Sequence, residues 1–288
     1  MAYSLLMVVA TGCGIGRGYA PEQLTVYTAN HGRPGFAEYD SLRLVSWNIQ
    51  YGESVPQALR ELAADSDLSR ADIILLQEMT PTGVDTMARA LGMYSVYAPA
   101  AVHPHHAELF GNAVLSRWPI VRHRALILPH GTPVSGHRRM ALAADIDIAG
   151  QPLRAVSIHT ATVILDQDKR MEQAHAALDT LRDFAGPVII GGDFNSVLEY
   201  EVTQFTRLFR KAGFRRLRLP PGGTVGNRYR KVPGQDLVMD HLFYRGLTAG
   251  RRGVVRSATA SDHWPIWGVF EPLGRGIEEP HPGGENRE

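Results

Sequence analysis

The sequence contains a single cysteine, Cys13, in 288 residues, which excludes an internal disulfide framework. An excess of charge of one sign is also missing, since 30 Lys and Arg face 29 Asp and Glu and leave a formal net charge of +1. This balance excludes a strongly basic nucleic-acid coat protein, although a local positive cleft can still occur on a near-neutral surface. The chain also has no internal repeat and no linker between residues 42 and 270. These absences favour one globular domain with a large core.

The N-terminal apolar run, residues 5–10, is too short to span a membrane and is typical of the core of an export signal. It is followed by Thr11, Gly12 and Cys13, as in a bacterial lipoprotein signal, where Cys13 would carry the lipid. No Lys or Arg precedes the run, which departs from the usual pattern. We predict an exported protein with a lipoprotein-like N-terminus and tether over residues 1–41. The alternative is a frayed apolar N-terminus on a cytoplasmic protein.

Strand-like and helix-like segments alternate along the rest of the chain. Alternating or continuous apolar patterns predict strands at residues 42–47, 72–76, 111–116, 120–127, 140–148, 153–159, 187–190, 238–244 and 264–270. Apolar residues at helical spacing predict helices at residues 55–64, 84–91, 166–184 and 202–212. Two β-rich halves with helices outside predict sheets packed face to face in one domain, residues 42–272. Residues 273–288 are acidic and rich in Pro and Gly, which predicts a disordered tail.

Polar side chains stand at the ends of the predicted strands, where a rigid sheet can position them for chemistry. They are Asn48, Glu78, His159, Asp193, Asn195, Asp240, Asp262 and His263. Each has an ordinary structural explanation when taken alone, because Asp and Asn after a strand are usually turn formers. The adjacent pair Asp262-His263 is the stronger signal, since an acid and an imidazole before an apolar strand are unusual as turn chemistry.

Six short motifs occur in a fixed order along the chain. They are Trp47-Asn48-Ile49, Gln77-Glu78, the segment 111–117 (GNAVLSR), Gly192-Asp193-Phe194-Asn195, Met239-Asp240-His241 and the segment 261–265 (SDHWP). With these motifs the sequence resembles the endonuclease/exonuclease/phosphatase superfamily of DNase I-like, metal-dependent phosphohydrolases. The resemblance extends from residue 42 to about residue 270. It implies an α/β fold of four layers, a sandwich of two mainly antiparallel β-sheets flanked by helices.

The resemblance also implies a metal site. Glu78 corresponds to the principal metal-binding carboxylate, and Asn48 and Asp262 would complete the protein ligands directly or through water. Oxygen donors of this kind suit Mg²⁺ or Mn²⁺ rather than a metal that prefers thiolate. One or two metal ions are both compatible with the residues.

The remaining motif residues take catalytic roles by the same resemblance. His263 is the catalytic histidine and Asp240 the carboxylate that orients it, while Asp193 activates or aligns the attacking water. Asn195 would donate to a phosphoryl oxygen, and His159 would stabilise the transition state. The general base stays open between Asp193 and His263.

Substrate contacts are less well indicated by the sequence. Asn112 and Arg139 are predicted to bind substrate, and Arg139 with Arg138 could meet a phosphate bidentately or form a solvated strand end. A basic stretch precedes Asp240 and could follow a nucleic-acid or anionic-lipid backbone, or be a solvated face. It comprises Arg210, Lys211, Arg215, Arg216, Arg218, Arg228, Arg230 and Lys231.

Three functions are compatible with these residues. The favoured one is a Mg²⁺-dependent hydrolase of phosphodiester bonds, a nuclease or phosphodiesterase that uses in-line attack of water. The alternative is a phosphomonoesterase or a sphingomyelinase-like phospholipase, and the third is a non-catalytic binding module. The third is disfavoured because neither a metal ligand nor His263 is lost. The expected partner is a phosphate-ester substrate, either a nucleic acid or a phospholipid, and the protein is expected to be a monomer without an obligate protein partner.

Overall fold

The computed structural model describes residues 24–33, 40–102, 108–131, 136–162, 166–226 and 236–273. The predicted lipoprotein signal with Cys13 and residues 274–288 of the predicted tail lie outside the described residues. Within the described ranges, no helix has both the length and the apolar character needed to cross a membrane.

Two β-sheets form the centre of the protein. Sheet 1 has seven strands, in spatial order β1 (Tyr27–Asn30), β4 (Tyr94–Val102), β5 (Leu109–Ser116), β3 (Ile73–Met79), β2 (Leu42–Asn48), β13 (Ile266–Pro272) and β12 (Leu247–Val254). Sheet 2 has six, in spatial order β10 (Arg215–Arg216), β11 (Asp240–Arg245), β9 (Val188–Asp193), β8 (Gln151–His159), β7 (Met140–Ile148) and β6 (Ile120–Ile127). Each sheet contains one parallel pair, β2 with β3 and β8 with β9, and its other pairs are antiparallel.

Four helices cover the outer faces of the sheets: α1 (Val55–Ala64), α2 (Pro81–Leu91), α3 (Gln167–Asp179) and α4 (Glu199–Lys211). One apolar layer, which includes Leu75 and Leu142, lies between the sheets. A second packs α1 and α2 on sheet 1, and a third, which includes Phe205, packs α3 and α4 on sheet 2. The predicted four-layered α/β sandwich is therefore confirmed.

Strand β3 shows how the sequence specifies these layers. Ile73 and Leu75 belong to the core between the sheets, whereas Ile74 and Leu76 belong to the core under α1 and α2. Alternate side chains of a strand point to opposite faces, so a strand buried on both faces must be apolar throughout. The continuous apolar run predicted this strand for that reason.

Four strands were not predicted from the sequence, and one of them is the two-residue strand β10. Strand β1 lies within the predicted tether and pairs with β4 at the edge of sheet 1. Strand β4 contains Pro99, where its pairing with β5 is irregular, and β12 has a similar irregularity between Ala249 and Arg252. Helix boundaries also differ, because α3 ends at Asp179 rather than at residue 184 and α4 begins at Glu199 rather than at residue 202.

Candidate active site

The two parallel strand pairs bring the predicted site residues to one end of the sandwich. At the end of β2, Asn48 lies opposite Gln77 of β3, and at the end of β8, His159 lies opposite Asp193 of β9. Strand β11 begins at Asp240, which is paired with Asp193. The carboxyl ends of parallel strands meet at the same edge of a sheet, so these side chains collect where both sheets end.

His263 is held between two carboxylates. Its Nδ1 lies 2.9 Å from Oδ2 of Asp240, and its Nε2 lies 3.7 Å from Oδ2 of Asp193. Burial alone would lower the pKa of His263, but the charges of Asp240 and Asp193 outweigh burial and raise that pKa to about 10. The three side chains are buried, and each offers a donor atom within 4.8 Å of the others.

Asp193 is the most connected carboxylate of the site. It accepts hydrogen bonds from Nδ2 of Asn48 at 3.1 Å and from the backbone N–H and Nδ2 of Asn195 at 2.8 and 3.3 Å. Nε2 of His159 lies 3.4 Å from Oδ2 of Asp193. Burial raises the pKa of Asp193 to about 7 although the charge of His263 acts in the opposite direction. Asp193 is thus the point at which the predicted catalytic residues meet.

His159 is a buried imidazole with an unused ring nitrogen. Burial, reinforced by the charges of Arg139 and His263, lowers its pKa well below the usual range, which favours a neutral ring. Its Nδ1 has no hydrogen-bond partner among the described residues. Nε2 lies 3.9 Å from Oε1 of Glu78, so His159 stands between Glu78 and Asp193.

The predicted metal ligands form a second group beside this one. A side-chain hydrogen bond joins Asn48 to Glu78, and the charge of Asp262 also acts on Glu78. Burial raises the pKa of Glu78, while Arg139 acts to lower it. Ser261 ties the group together, because its Oγ donates to the backbone oxygen of Asn48 at 2.7 Å and contacts Oδ1 of Asp262 at 3.3 Å.

Strained backbone surrounds this second group. Gln50, Tyr51, Glu78 and Asn195 have φ values of 38°, 60°, 58° and 50°, which L side chains rarely adopt. Such strain persists only where the surrounding structure imposes it, and it is concentrated at functional sites. After Glu78 the chain turns directly into α2, where the Thr80 side chain accepts a hydrogen bond from the Gly83 backbone N–H at 3.1 Å.

The donor set beside Glu78 fits a hard divalent cation. Glu78, Asn48 and Asp262 offer carboxylate and amide oxygens, the ligand types that Mg²⁺ and Mn²⁺ prefer. Asp193, Asp240 and His263 are also close enough to hold a metal ion, but Nδ1 of His263 is already hydrogen-bonded to Asp240. The carboxylates of that group already have partners, Asp240 in His263 and Asp193 in the amides of Asn48 and Asn195, so we favour the oxygen set over the group that contains His263.

The two predicted substrate residues occupy different positions. Nδ2 of Asn112 donates to the backbone oxygens of Ser157 and Met140 at 3.0 and 3.3 Å, so this buried side chain joins sheet 1 to sheet 2. Arg139 is buried above the ring of Phe110, with 5.2 Å from Cζ to the ring centroid. Its Nε and Nη1 have no hydrogen-bond partner within the described ranges, as expected of a guanidinium that receives an anion. Substrate binding by both residues stays a prediction.

Two residues near the site were given no role from the sequence. The ring of Tyr51 packs at a tilt against that of Phe110, with 5.5 Å between the ring centroids, and burial together with the charge of Glu78 raises the pKa of the Tyr51 hydroxyl to about 12. Gln77 donates to Oγ of Ser157 at 2.9 Å and so bridges the sheets. A polar residue inside an apolar strand could have indicated Gln77. No sequence pattern indicated Tyr51, because its ring is brought to the site only by the turn that follows Asn48.

Comparison with known proteins agrees with this geometry. The family described as Endonuclease/Exonuclease/phosphatase matches residues 45–263. A UPF0294 protein of Vibrio cholerae is 31% identical over 267 residues, which cover 90% of this chain and 88% of the relative.

Solved structures share the fold at lower identity. An endonuclease/exonuclease/phosphatase from Beutenbergia cavernae aligns with a TM-score of 0.66 at 18% identity, over 82% of this chain and 72% of that one. TDP2 of D. rerio, complexed with single-strand DNA product, aligns with a TM-score of 0.63 at 20% identity, over 81% of this chain and 100% of that one. A mannosyl-6-phosphatase of Bacteroides thetaiotaomicron aligns with a TM-score of 0.59 at 19% identity, over 80% of this chain and 99% of that one. The chain therefore belongs to the endonuclease/exonuclease/phosphatase family and is a phosphoric ester hydrolase.

Proposed function

We propose that this protein hydrolyses phosphodiester bonds with the aid of a bound Mg²⁺ or Mn²⁺. The observation that carries the proposal is the junction at Asp193, where Asn48 from the cation group and His159 and His263 from the catalytic group meet one buried carboxylate. The residues that would hold the cation and those that would handle water and protons thus share this carboxylate.

Glu78, Asn48 and Asp262 would hold the cation. When bound, it supplies positive charge that stabilises the phosphoryl and leaving-group oxygens. The protein side chains do the rest. Asp193 aligns the attacking water, while His263, oriented by Asp240 at 2.9 Å, faces the same carboxylate and donates a hydrogen bond to a phosphoryl oxygen.

Arg139 supports the placement of the phosphoryl group. Its buried Nε and Nη1 are unpaired among the described residues, and its charge acts on Glu78 and His159. A guanidinium with unpaired N–H groups donates charge-assisted hydrogen bonds to the oxygens of a phosphate. The phosphoryl group would lie between Arg139 and His263.

The charge of the site favours a diester over a monoester. Among the described residues of the site, Asp240 and His263 neutralise each other, which leaves three carboxylates, Glu78, Asp193 and Asp262, against one cation, Arg139. One divalent metal ion brings this set to neutrality. No surplus positive charge remains to offset the second negative charge of a phosphomonoester, so a singly charged diester is the better substrate.

The test is hydrolysis of bis-nitrophenyl phosphate and of nitrophenyl phosphate by the purified protein with Mg²⁺, Mn²⁺ or chelator. We expect faster turnover of the diester, loss of turnover in chelator, and loss in both Glu78→Gln and His263→Ala. Glu199→Gln, an exposed carboxylate on α4, is the matched control. Preference for the monoester would replace the proposal with a phosphomonoesterase. Equal turnover with and without chelator would overturn the metal dependence.

A further inference from the structure

A groove rich in arginine lies away from the active site, along the aligned edges of the two sheets. Its walls come from the end of α4, from β10 at the edge of sheet 2 and from β12 at the edge of sheet 1. The groove has a volume of ≈ 430 Å³. We call it the edge groove, and its five arginines are Arg210, Arg215, Arg216, Arg218 and Arg252.

The edge groove concentrates positive charge that the rest of the chain does not share. The chain as a whole carries a net charge of +1, yet no carboxylate occurs among the described residues that line the groove. Burial, reinforced by the charge of Arg218, lowers the pKa of Arg216. Like charges held together without a counter-charge are unfavourable, so the groove favours an anion from outside the chain.

Two of the arginines are fixed by the fold, and three are available. Nε of Arg216 donates to Nδ1 of His241 at 3.3 Å, and Nε of Arg252 donates to the backbone oxygen of Arg218 at 2.6 Å. Arg210, Arg215 and Arg218 are exposed, and within the described ranges none of them forms an ion pair.

Some arginines outside the groove are neutralised by carboxylates. Arg154 is paired with Asp145 at 2.6 Å, and Arg251, beside the edge groove, is paired with Asp67 at 3.2 Å. Among the described residues, the arginines of the edge groove have no such partner.

The shape of the edge groove favours a strand of phosphates over a membrane. A lipid surface is broad and is usually met with exposed apolar side chains beside the basic ones. The large exposed apolar residues among those described lie elsewhere: Tyr27, Val121, Leu198, Tyr200 and Leu273. A concave row of guanidinium groups instead matches successive phosphates of one extended chain.

The edge groove is connected to the active site through sheet 2. Arg215 pairs with Tyr244, four residues along β11 from Asp240, a distance of roughly 13 Å at the rise of a strand. Beyond Arg218 the chain returns to the site, since Oγ1 of Thr224 accepts a hydrogen bond from the Asp240 backbone N–H at 3.1 Å. A strand bound in the groove would be guided toward the catalytic carboxylates.

We propose that the edge groove binds the phosphodiester backbone of a single-stranded nucleic acid. Binding requires no bases, because the groove offers guanidinium groups and no exposed aromatic ring among its described residues. The inference deepens the proposed function by making nucleic acid the substrate class. Only this assignment of the substrate rests on the proposed function. Binding itself stands on the groove alone.

The experiment is fluorescence anisotropy of a labelled single-stranded oligonucleotide, titrated with full-length protein in chelator between about 50 and 200 mM salt. The test variant combines Arg210→Gln, Arg215→Gln and Arg218→Gln. The matched control combines Arg60→Gln, Arg89→Gln and Arg124→Gln, exposed residues on α1, α2 and β6 that remove the same total charge.

We expect the test variant to bind at least about tenfold more weakly and its salt slope to fall by about 2, at about 0.7 per lost phosphate contact. The control variant should match the wild type. Hydrolysis of bis-nitrophenyl phosphate should be unchanged in both variants. If the wild-type protein binds the oligonucleotide but does not hydrolyse the diester, the proposed function is contradicted and the edge groove still stands as a binding site.

Two outcomes would overturn the edge groove as a nucleic-acid site. One is equal oligonucleotide affinity and salt slope in the test and control variants. The other is loss of binding to phosphatidylglycerol vesicles by the test variant while oligonucleotide binding is retained, which would assign the groove to a lipid surface.

Discussion

The two sheets supply different halves of the active site. Sheet 1 contributes Asn48 and Glu78, and the loop that enters its strand β13 contributes Asp262 and His263, so this side offers the proposed oxygen donors and the imidazole. Sheet 2 contributes its own set at the ends of β8, β9 and β11, namely His159, Asp193 and Asp240, which in the proposed mechanism would align water and orient His263. Neither sheet holds a complete site, so activity depends on how the sheets are packed together.

The two halves also differ in backbone. On sheet 1, Glu78 and the residues after Asn48 have positive φ values, whereas Asp193 and Asp240 lie opposite each other in regular antiparallel pairing. A regular ladder fixes the carboxylates of sheet 2, and on that side the positive φ of Asn195 comes after β9 has ended. On sheet 1, Asn48 stays in regular pairing with Gln77, whereas Glu78 lies where the pairing of β3 with β5 is irregular.

The strongest test of this division compares Glu78→Gln with Asp193→Asn. Both should lower kcat by about 10²- to 10⁴-fold, the range expected for a group that acts directly in the reaction. Only Glu78→Gln should weaken Mn²⁺ binding, because Glu78 is an oxygen donor and Asp193 is committed to neighbouring amides. Turnover and Mn²⁺ titration check this, with Glu199→Gln as control. Equal Mn²⁺ affinity in the two variants would show that the halves are not separate.

Asp240→Asn tests the same division between cation binding and catalysis with a residue of sheet 2. We expect kcat to fall by about 10²-fold with little change in KM, because an amide orients His263 but cannot balance its charge. Mn²⁺ affinity should stay at the wild-type value. A large loss of Mn²⁺ binding would instead place the cation among Asp193, Asp240 and His263.

The contact between the halves is tested by Asn112→Leu. Its amide donates to backbone oxygens of β7 and β8 across the interface, and removing it leaves buried acceptors unpaired. We expect a loss of about 1–3 kcal/mol in the free energy of unfolding, measured by urea denaturation. Asn30→Leu, at an exposed position of β1, should change it by less than about 0.5 kcal/mol. A loss no larger than that of the control would show that Asn112 does not stabilise the interface between the sheets.

The smallest expected effect concerns His241 of sheet 2. Its ring is buried, with Nε2 2.7 Å from Oγ of Ser196, Nδ1 facing Arg216, and Phe194 and Phe243 around it. Burial and the charge of Arg216 hold its pKa well below the usual range, so the folded protein keeps it neutral. The unfolded chain binds a proton below pH about 6.5, and the stability that His241 contributes is therefore present above that pH and lost as the pH falls.

His241→Gln should accordingly reduce the dependence of Tm on pH between neutral pH and about pH 5, since the variant has no imidazole to protonate at this position. Thermal unfolding of both proteins across this range measures the difference. Parallel Tm curves for wild type and variant would contradict a neutral, buried His241.

The sequence could predict the site better than the edges of the fold. The site residues sit at the ends of apolar strands, and the apolar pattern both specifies those strands and fixes where Asn48, Glu78 and Asp193 emerge. Edge strands lack that signal. Strand β12 exposes half of its residues and carries Arg251 and Arg252, so its sequence lacks the apolar pattern of a strand.

Long-range pairing explains what else could not be predicted. The edge groove depends on Arg252 of β12 meeting Arg215 of β10, and no local pattern records that two edges of different sheets are adjacent. Tyr51 is similar, because it reaches Phe110 only through a turn of unusual φ. The export signal, the monomeric state and the general base stay predictions.

The positive φ values around the oxygen donors have a consequence for protein engineering. Each such residue costs of order 1–3 kcal/mol, and at Glu78 a glycine would recover part of that cost. A library selected only for heat resistance would therefore favour glycine at Glu78 and remove the carboxylate proposed to hold the cation. In this protein, thermostability and catalysis compete for the same few backbone angles, and selection for one must be joined to an assay for the other.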